Sequence, residues 1–213
     1  MDLTVFGATG GIGQEVVRQA LDAGHRVTAV VREPARLPVT GERLRVFQAD
    51  LKDPEALKDA VAGRDAVLSG LGARGREDAR SGIAARLTRP VLQALDAAGT
   101  RRFLAVSAGP LAPEPADQQF LHRRVMLPLV KAILKDVYAD LRVMEAEIRN
   151  SATDWTLVRP PRLLDQPATG TYRTALDVNL RNGSTIGRAD VAHAMLRMID
   201  DRATVKQAVS VAY

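Results

Sequence analysis

Near the start of the chain, Gly7-Ala8-Thr9-Gly10-Gly11-Ile12-Gly13 combines residue types and spacing that could hold an anion. The loop lies between a strand-like run, Leu3-Thr4-Val5-Phe6, and a helix-like run that puts Ile12, Val16, Val17, Ala20 and Leu21 on one face. A loop in that place must turn sharply, bring backbone against a pyrophosphate and pack the helix start on the strand. Each task favours a residue without a side chain. Gly7, Gly10 and Gly13 fill these places, with Thr9, Gly11 and Ile12 completing the cradle. The helix that opens there offers free backbone N–H groups and the positive end of its dipole. The chemistry that follows is the binding of a dinucleotide.

The end of the second strand bears on which dinucleotide. An acidic side chain there would accept from a free ribose 2′-hydroxyl. The strand ends Val30-Val31-Arg32, and a guanidinium suits a 2′-phosphate instead, with Arg36 four residues on as a second donor. The reading is NADP(H) in preference to NAD(H). Glu33 leaves room for NAD, and the plain alternative is two surface arginines. Asp50-Leu51 after the third strand and Leu71-Gly72-Ala73 after the fourth fall where such folds cover the adenine and the pyrophosphate–ribose bridge. Asp50 also reads as a turn former or helix cap.

Composition removes several other chemistries. The chain has no cysteine, which excludes disulfides, thiolate catalysis and zinc–thiolate sites. His25, His122 and His193 are far apart and make no metal-ligand spacing, so no metal site is expected. A net charge of +5 raises the question of nucleic acid, but the arginines are dispersed among acids without a basic run or aromatic platform. No nucleic-acid partner is expected. The N-terminal segment lacks the basic and apolar regions of an export signal, and no apolar window reaches the length of a membrane span. The expectation is a cytoplasmic protein, monomer or homodimer, without membrane contact.

Positioning these residues requires alternating strands and helices. Strand-like runs fall at 2–6, 26–32, 44–49, 65–71 and 102–107, with helix-like runs at 12–23, 54–62 and 77–98 between them. Gly24, Gly63 and Gly99 follow the three helices, and Asp53-Pro54 opens the second. Residues 110–120 read as a loop and 121–150 as a helical stretch interrupted at Pro128. The aliphatic run Met126 to Leu134 reads as core or as pocket lining. A sixth strand at 154–158 stops at Arg159-Pro160-Pro161. A short strand at 171–178, a helix at 190–199 and a last strand at 208–211 follow. The predicted fold class is α/β, a three-layer, doubly wound parallel sheet in one Rossmann domain over 1–213, with 110–150 and 160–188 as substrate-side segments.

Taken together, these features resemble the extended and atypical short-chain dehydrogenase/reductases, in which GATGxxG replaces the usual dinucleotide fingerprint. The segments Phe103-Leu-Ala-Val-Ser107-Ala, Arg159-Pro-Pro-Arg162 and Leu164 to Tyr172 are similar to the biliverdin reductase B and flavin reductase branch, close to the NmrA-like group. The resemblance implies that Ser107 sits beside the nicotinamide and that Pro160, Pro161, Arg162 and Leu163 border its other side. It also draws attention to a departure. Where the family carries Tyr-x-x-x-Lys, this chain offers Tyr138-Ala-Asp-Leu-Arg142, which keeps a positive charge but not a compact ammonium. Tyr138 is thus the candidate acid, while the branch it resembles passes hydride without that pair and takes its proton from solvent.

The resemblance implies an NADPH-dependent oxidoreductase that passes hydride to a planar conjugated acceptor such as a flavin, quinone or tetrapyrrole. The alternative it implies is an NmrA-like, non-catalytic NADP(H) sensor that docks a protein partner. A third is an isomerase or lyase that uses the cofactor transiently.

Overall fold

In the computed structural model, residues 1–73, 75–113 and 134–213 are described. Eight strands form the central sheet: β1 (Asp2–Phe6), β2 (Arg26–Val31), β3 (Leu44–Gln48), β4 (Ala66–Ser69), β5 (Arg102–Val106), β6 (Asp154–Arg159), β8 (Arg173–Leu176) and β10 (Gln207–Ala212). Their order is β3-β2-β1-β4-β5-β6-β10-β8, and every pairing is parallel except that of β8 with β10. The chain reverses direction between β1 and β4, so their carboxyl ends open the crevice in which such sheets place ligands. Two three-residue strands, β7 (Arg162–Leu164) and β9 (Thr185–Gly187), pair with each other outside this sheet.

Helices cover both faces because parallel strands are apolar on both sides. On one face α1 (Gly11–Asp22) packs against α6 (Arg188–Arg197), burying Ile12, Val16, Val17 and Ala20 with Val191, Ala192, Ala194 and Met195. The other face holds α2 (Pro54–Val61), α4 (Ile83–Ala98) and α5 (Lys135–Asn150), around Leu57, Val91, Leu95, Met144, Ile148 and Phe103. The three-layer, doubly wound α/β class expected from the sequence is the observed one, with an antiparallel strand at one edge.

Three details differ from the sequence reading. The helix expected over 77–98 is two helices, α3 (Arg76–Arg80) and α4, broken where Gly82 adopts a left-handed conformation at φ 65°. The buried amino end of α4 is capped from a distance: the buried Asp140 carboxylate of α5 accepts from the N–H groups of Ala84 at 2.9 Å and Ala85 at 3.0 Å. The strand expected over 171–178 is shorter, and β7 and β9 lie where no strand was expected. The expected loop and interrupted helix meet the described chain only at 110–113 and from Leu134 onward. Pro128, His122 and the aliphatic run up to Ile133 lie outside the described residues.

Candidate functional site

At the carboxyl end of β1 the glycines are required by space. Gly7 has φ 72°, and a Cβ on it would stand 2.7 Å from the carbonyl carbon of Gly70 and 2.9 Å from Leu71 N. A Cβ on Gly13 would stand 2.1 Å from Gly7 O. No side chain fits at either position, because backbone already fills both places. The Gly10 N–H donates to Gly7 O at 2.9 Å and closes the turn. Gly10 caps α1 without a side-chain hydrogen bond, and the first turn of α1 carries no acid. The positive end of that helix is therefore open to an anion. A cradle of bare backbone against a helix start is the donor set that a pyrophosphate requires.

The residues expected around the adenosine half flank this loop. Arg32 is exposed immediately after β2, and Arg36 follows in the short 3-10 turn Pro34–Arg36. The Arg36 guanidinium is 3.8 Å from Glu33, an exposed pair of little strength that leaves it available to a stronger anion. Asp50 is exposed after β3 and accepts from Lys52 N at 3.1 Å, forming a turn, while Leu51 is buried behind it. After β4, Leu71 is buried, with its N–H donating to Ser69 Oγ at 3.3 Å, and Gly72 is exposed. Ala73 is half-buried beyond it.

On the other side of the crevice, Ser107 follows β5 and is buried. Its hydroxyl donates to Glu145 Oε1 at 2.6 Å. Arg159, the last residue of β6, grips the same carboxylate with Nε to Oε1 at 2.9 Å and Nη2 to Oε2 at 2.5 Å. All three side chains are buried, so a bidentate ion pair fixes the serine hydroxyl from beneath. Backbone pairing brings the next segment close: Ser107 N donates to Val158 O at 2.7 Å and Gly109 N to Pro160 O at 2.8 Å. Pro160 is buried, Pro161 and Leu163 are half-buried, and Arg162 is exposed at the start of β7.

Tyr138, the candidate acid, lies on α5. It is buried in the core of α5 among Leu141, Met144, Ala84 and Ala85, and burial pushes its pKa above the usual tyrosine value. Arg142, in the position of the family's lysine, is exposed.

The segment after β7 is held down by one carboxylate. Asp190 on α6 is wholly buried and accepts from Thr169 N at 2.9 Å, Gly170 N at 2.8 Å, Thr169 Oγ1 at 2.9 Å and Tyr213 Oη at 2.6 Å. Burial works to raise its pKa, but the hydrogen bonds from Tyr213, Gly170 and Thr169 outweigh it and hold the group below the ordinary aspartate value.

Sequence reasoning missed Glu145 as a site residue, and gave Arg159 only as part of a strand-ending motif that also carries the family resemblance. The signal for Glu145 was present, since helical spacing puts it on the same stripe as Leu141 and Ile148, where a charge is out of place unless paired. Among the described residues, no cluster of three or more His, Asp or Glu could hold a metal, and no helix is long and apolar enough to cross a membrane.

Comparison with known proteins agrees with this geometry. The family model described as NAD(P)H-binding matches residues 7–202. A (4-alkanoyl-5-oxo-2,5-dihydrofuran-3-yl)methyl phosphate reductase of Streptomyces griseus is 33% identical over 162 residues, covering 74% of this chain but only 46% of that enzyme. The uncharacterized sugar epimerase YhfK of Bacillus subtilis is 29% identical over 98% of this chain and 92% of its own length. Among solved structures, a candidate NADH-flavin reductase from Streptococcus pneumoniae TIGR4 superposes with a TM-score of 0.80 at 25% identity, covering 100% of this chain and 99% of the other.

Proposed function

The chain belongs to the NAD(P)H-binding family, among the atypical short-chain dehydrogenase/reductases, and from that premise we propose that it is an NADPH-dependent reductase of a planar conjugated acceptor such as a flavin or quinone. The observation that carries this reading is the contrast between a dinucleotide cradle and a core-buried Tyr138 whose pKa is raised. Carbonyl reduction in the wider family needs a tyrosine made more acidic by a neighbouring cation. A conjugated acceptor takes hydride without a proton from the protein at the same moment, so the chain's own part is mainly positioning.

In this reading Gly7, Thr9, Gly10, Gly11, Ile12 and Gly13 hold the pyrophosphate, and Arg32 and Arg36 take the 2′-phosphate. Asp50, Leu51, Leu71, Gly72 and Ala73 line the adenosine half. Ser107, Pro160, Arg162 and Leu163 border the nicotinamide. The nicotinamide supplies the hydride when bound. The Ser107 hydrogen is committed to Glu145, so its remaining lone pairs can accept from a carboxamide N–H and fix the ring's orientation. The segments 110–150 and 160–188 form the acceptor side. Residency in the cytoplasm and a small-molecule partner without nucleic acid complete the proposal, with a monomer or homodimer as the working unit. Similarity to the Streptomyces reductase and the streptococcal candidate flavin reductase supports the reaction class.

The test is an acceptor series with NADPH and NADH against FMN, FAD, a quinone and biliverdin, with Arg32→Ala alongside. Oxidation of NADPH by at least one acceptor is expected, with Arg32→Ala weakening NADPH by about tenfold and leaving NADH nearly unchanged. Tight binding of NADP(H) with no acceptor reduced would overturn the reductase reading in favour of a redox sensor that docks a partner.

A further inference from the structure

The start of α1 does not face solvent alone. Arg188, the first residue of α6, lies directly over Gly11: a Cβ built there would stand 2.6 Å from Arg188 Cδ and 2.9 Å from its Nε. A side chain at position 11 would displace this arginine, whereas at Gly7 and Gly13 it would meet backbone. The guanidinium pairs with Asp165, whose side chain is 88% exposed. The strand register sets this pair. Leu164 of β7 is opposite Gly187 of β9, and the next residue on each side is Asp165 and Arg188.

The electrostatics of this corner are unbalanced. A guanidinium next to the amino end of α1 adds a cation where the helix dipole already favours an anion. Arg188 is also the first residue of its own helix, so the positive end of α6 adjoins the same place. Neither helix relieves this: α1 has no acid in its first turn, and the one acid in the first turn of α6, Asp190, is turned to Thr169, Gly170 and Tyr213. Among the described residues the ion-pair partner of Arg188 is Asp165, and an ion pair with so exposed a carboxylate contributes little.

We infer that Arg188, lying over Gly11 at the start of α1, is a second clamp on the cofactor pyrophosphate, and that Asp165 is a competing counter-ion from which Arg188 is drawn when the phosphates bind. The inference rests on the dinucleotide reading of the site. It assigns to the β7–β9 pair the task of presenting the clamp and its competitor together. It also makes Asp165 a residue that weakens cofactor binding, which a merely structural ion pair would not do.

The test measures Kd for NADPH and for 2′-AMP, which lacks the pyrophosphate, by titration calorimetry on the wild type, Arg188→Met, Asp165→Asn and the double variant. Arg188→Met is expected to weaken NADPH by about tenfold or more, the loss of a charge-assisted contact, and to leave 2′-AMP unchanged. Asp165→Asn is expected to tighten NADPH by about two- to fivefold, the release of an exposed pair, and to do so only while Arg188 is present. Unchanged NADPH binding in Arg188→Met, equal weakening of both ligands, or tightening by Asp165→Asn that persists without Arg188 would overturn the clamp. A wild type that binds neither NADPH nor NADH would instead remove the dinucleotide reading on which it stands.

Discussion

Two arginines are buried on neighbouring strands of the sheet, and they are held in opposite ways. Arg102 opens β5 at the amino end of the sheet and points to the α1–α6 face. Its guanidinium donates to the carbonyls of Asp154 at 2.7 Å and Ile199 at 2.9 Å, to Met198 O, and to Thr156 Oγ1 at 2.8 Å and Thr204 Oγ1 at 3.1 Å. Arg159 closes β6 at the carboxyl end and points to the α5 face, where it meets the one carboxylate of Glu145. The first arginine ends in backbone, including carbonyls just beyond α6, and closes that end of the sheet. The second ends on an ion pair that passes on to a hydroxyl, and that hydroxyl stands at the crevice. A buried cation satisfied by carbonyls is a fastener. One satisfied through Glu145 and Ser107 is a support for something that binds.

The sharpest way to break the comparison is to remove the fastener. Arg102→Met keeps much of the apolar stem and strips the donors from three carbonyls. The expected loss is about 4 kcal/mol of stability, since each buried acceptor left without a partner costs about 1–3 kcal/mol. In a chain of this size that lowers Tm by roughly 10 °C. Desolvation lowers the Arg102 pKa from the usual arginine value, with partial compensation from Asp154, Asp201 and Asp200, and an arginine keeps its charge at neutral pH. Calorimetric unfolding between pH 6 and 8 should show a nearly constant deficit, and residual folded protein should bind cofactor as the wild type does. A strong loss of affinity at full folding would mean the two ends are not separate.

The support should behave otherwise. Glu145→Gln leaves Arg159 as a buried cation with a neutral partner and is expected to cost about 3 kcal/mol. Replacing both, Glu145→Met with Arg159→Leu, should recover most of that loss because a buried ion pair is often exchangeable for apolar packing. Cofactor affinity should not recover with it, since Ser107 would have lost the group that orients its hydroxyl. Unfolding curves and NADPH titrations on the wild type, Glu145→Gln and the double variant check the split. Recovery of both stability and affinity in the double variant would make the network ordinary core.

These two regions also explain how far the chain could be read in advance. Gly13 and the first five strands were legible because their causes are local, the approach of Gly7 O or a pattern over a short window, and Gly7 was legible through its turn although the backbone that crowds it belongs to Gly70 and Leu71. The place of Arg32 directly after a strand is local in the same way. Arg102 was not legible, and the spacing around Glu145 showed only that it needed a partner, because those partners lie 97 and 38 residues away at Ile199 and Ser107 and nothing local names them. The break at Gly82 has the same origin, since the cap that permits it is supplied by Asp140, 56 residues from Ala84. The strands β7 and β9 are three residues each and carry no period at all, so the pair that presents Arg188 and Asp165 emerges only in three dimensions.

The smallest expected effect belongs to Asp190, which resembles the support in being a buried carboxylate but resembles the fastener in ending wholly within the protein. Its four hydrogen bonds pin residues 169–170 and Tyr213 to α6, and through Tyr213 the same hub reaches Gly187 N at 2.9 Å and Gln166 Nε2 at 2.6 Å. Because its pKa is held below the ordinary 3.8, its contribution is fully present above that value and is lost as the pH falls through the lower, folded-state pKa. Asp190→Asn should therefore cost about 2 kcal/mol at pH 7 and progressively less as the solution is acidified below about pH 4, so that the wild-type and variant Tm curves converge. Arg188 begins the turn that Asp190 anchors, so a loosened hub should also blur the clamp. The expected accompaniment is a weakening of NADPH by a few fold at neutral pH, reversed by nothing done to Asp165 alone. Parallel Tm curves at all pH values would show that Asp190 acts through packing and that its charge is incidental to the hold on this segment.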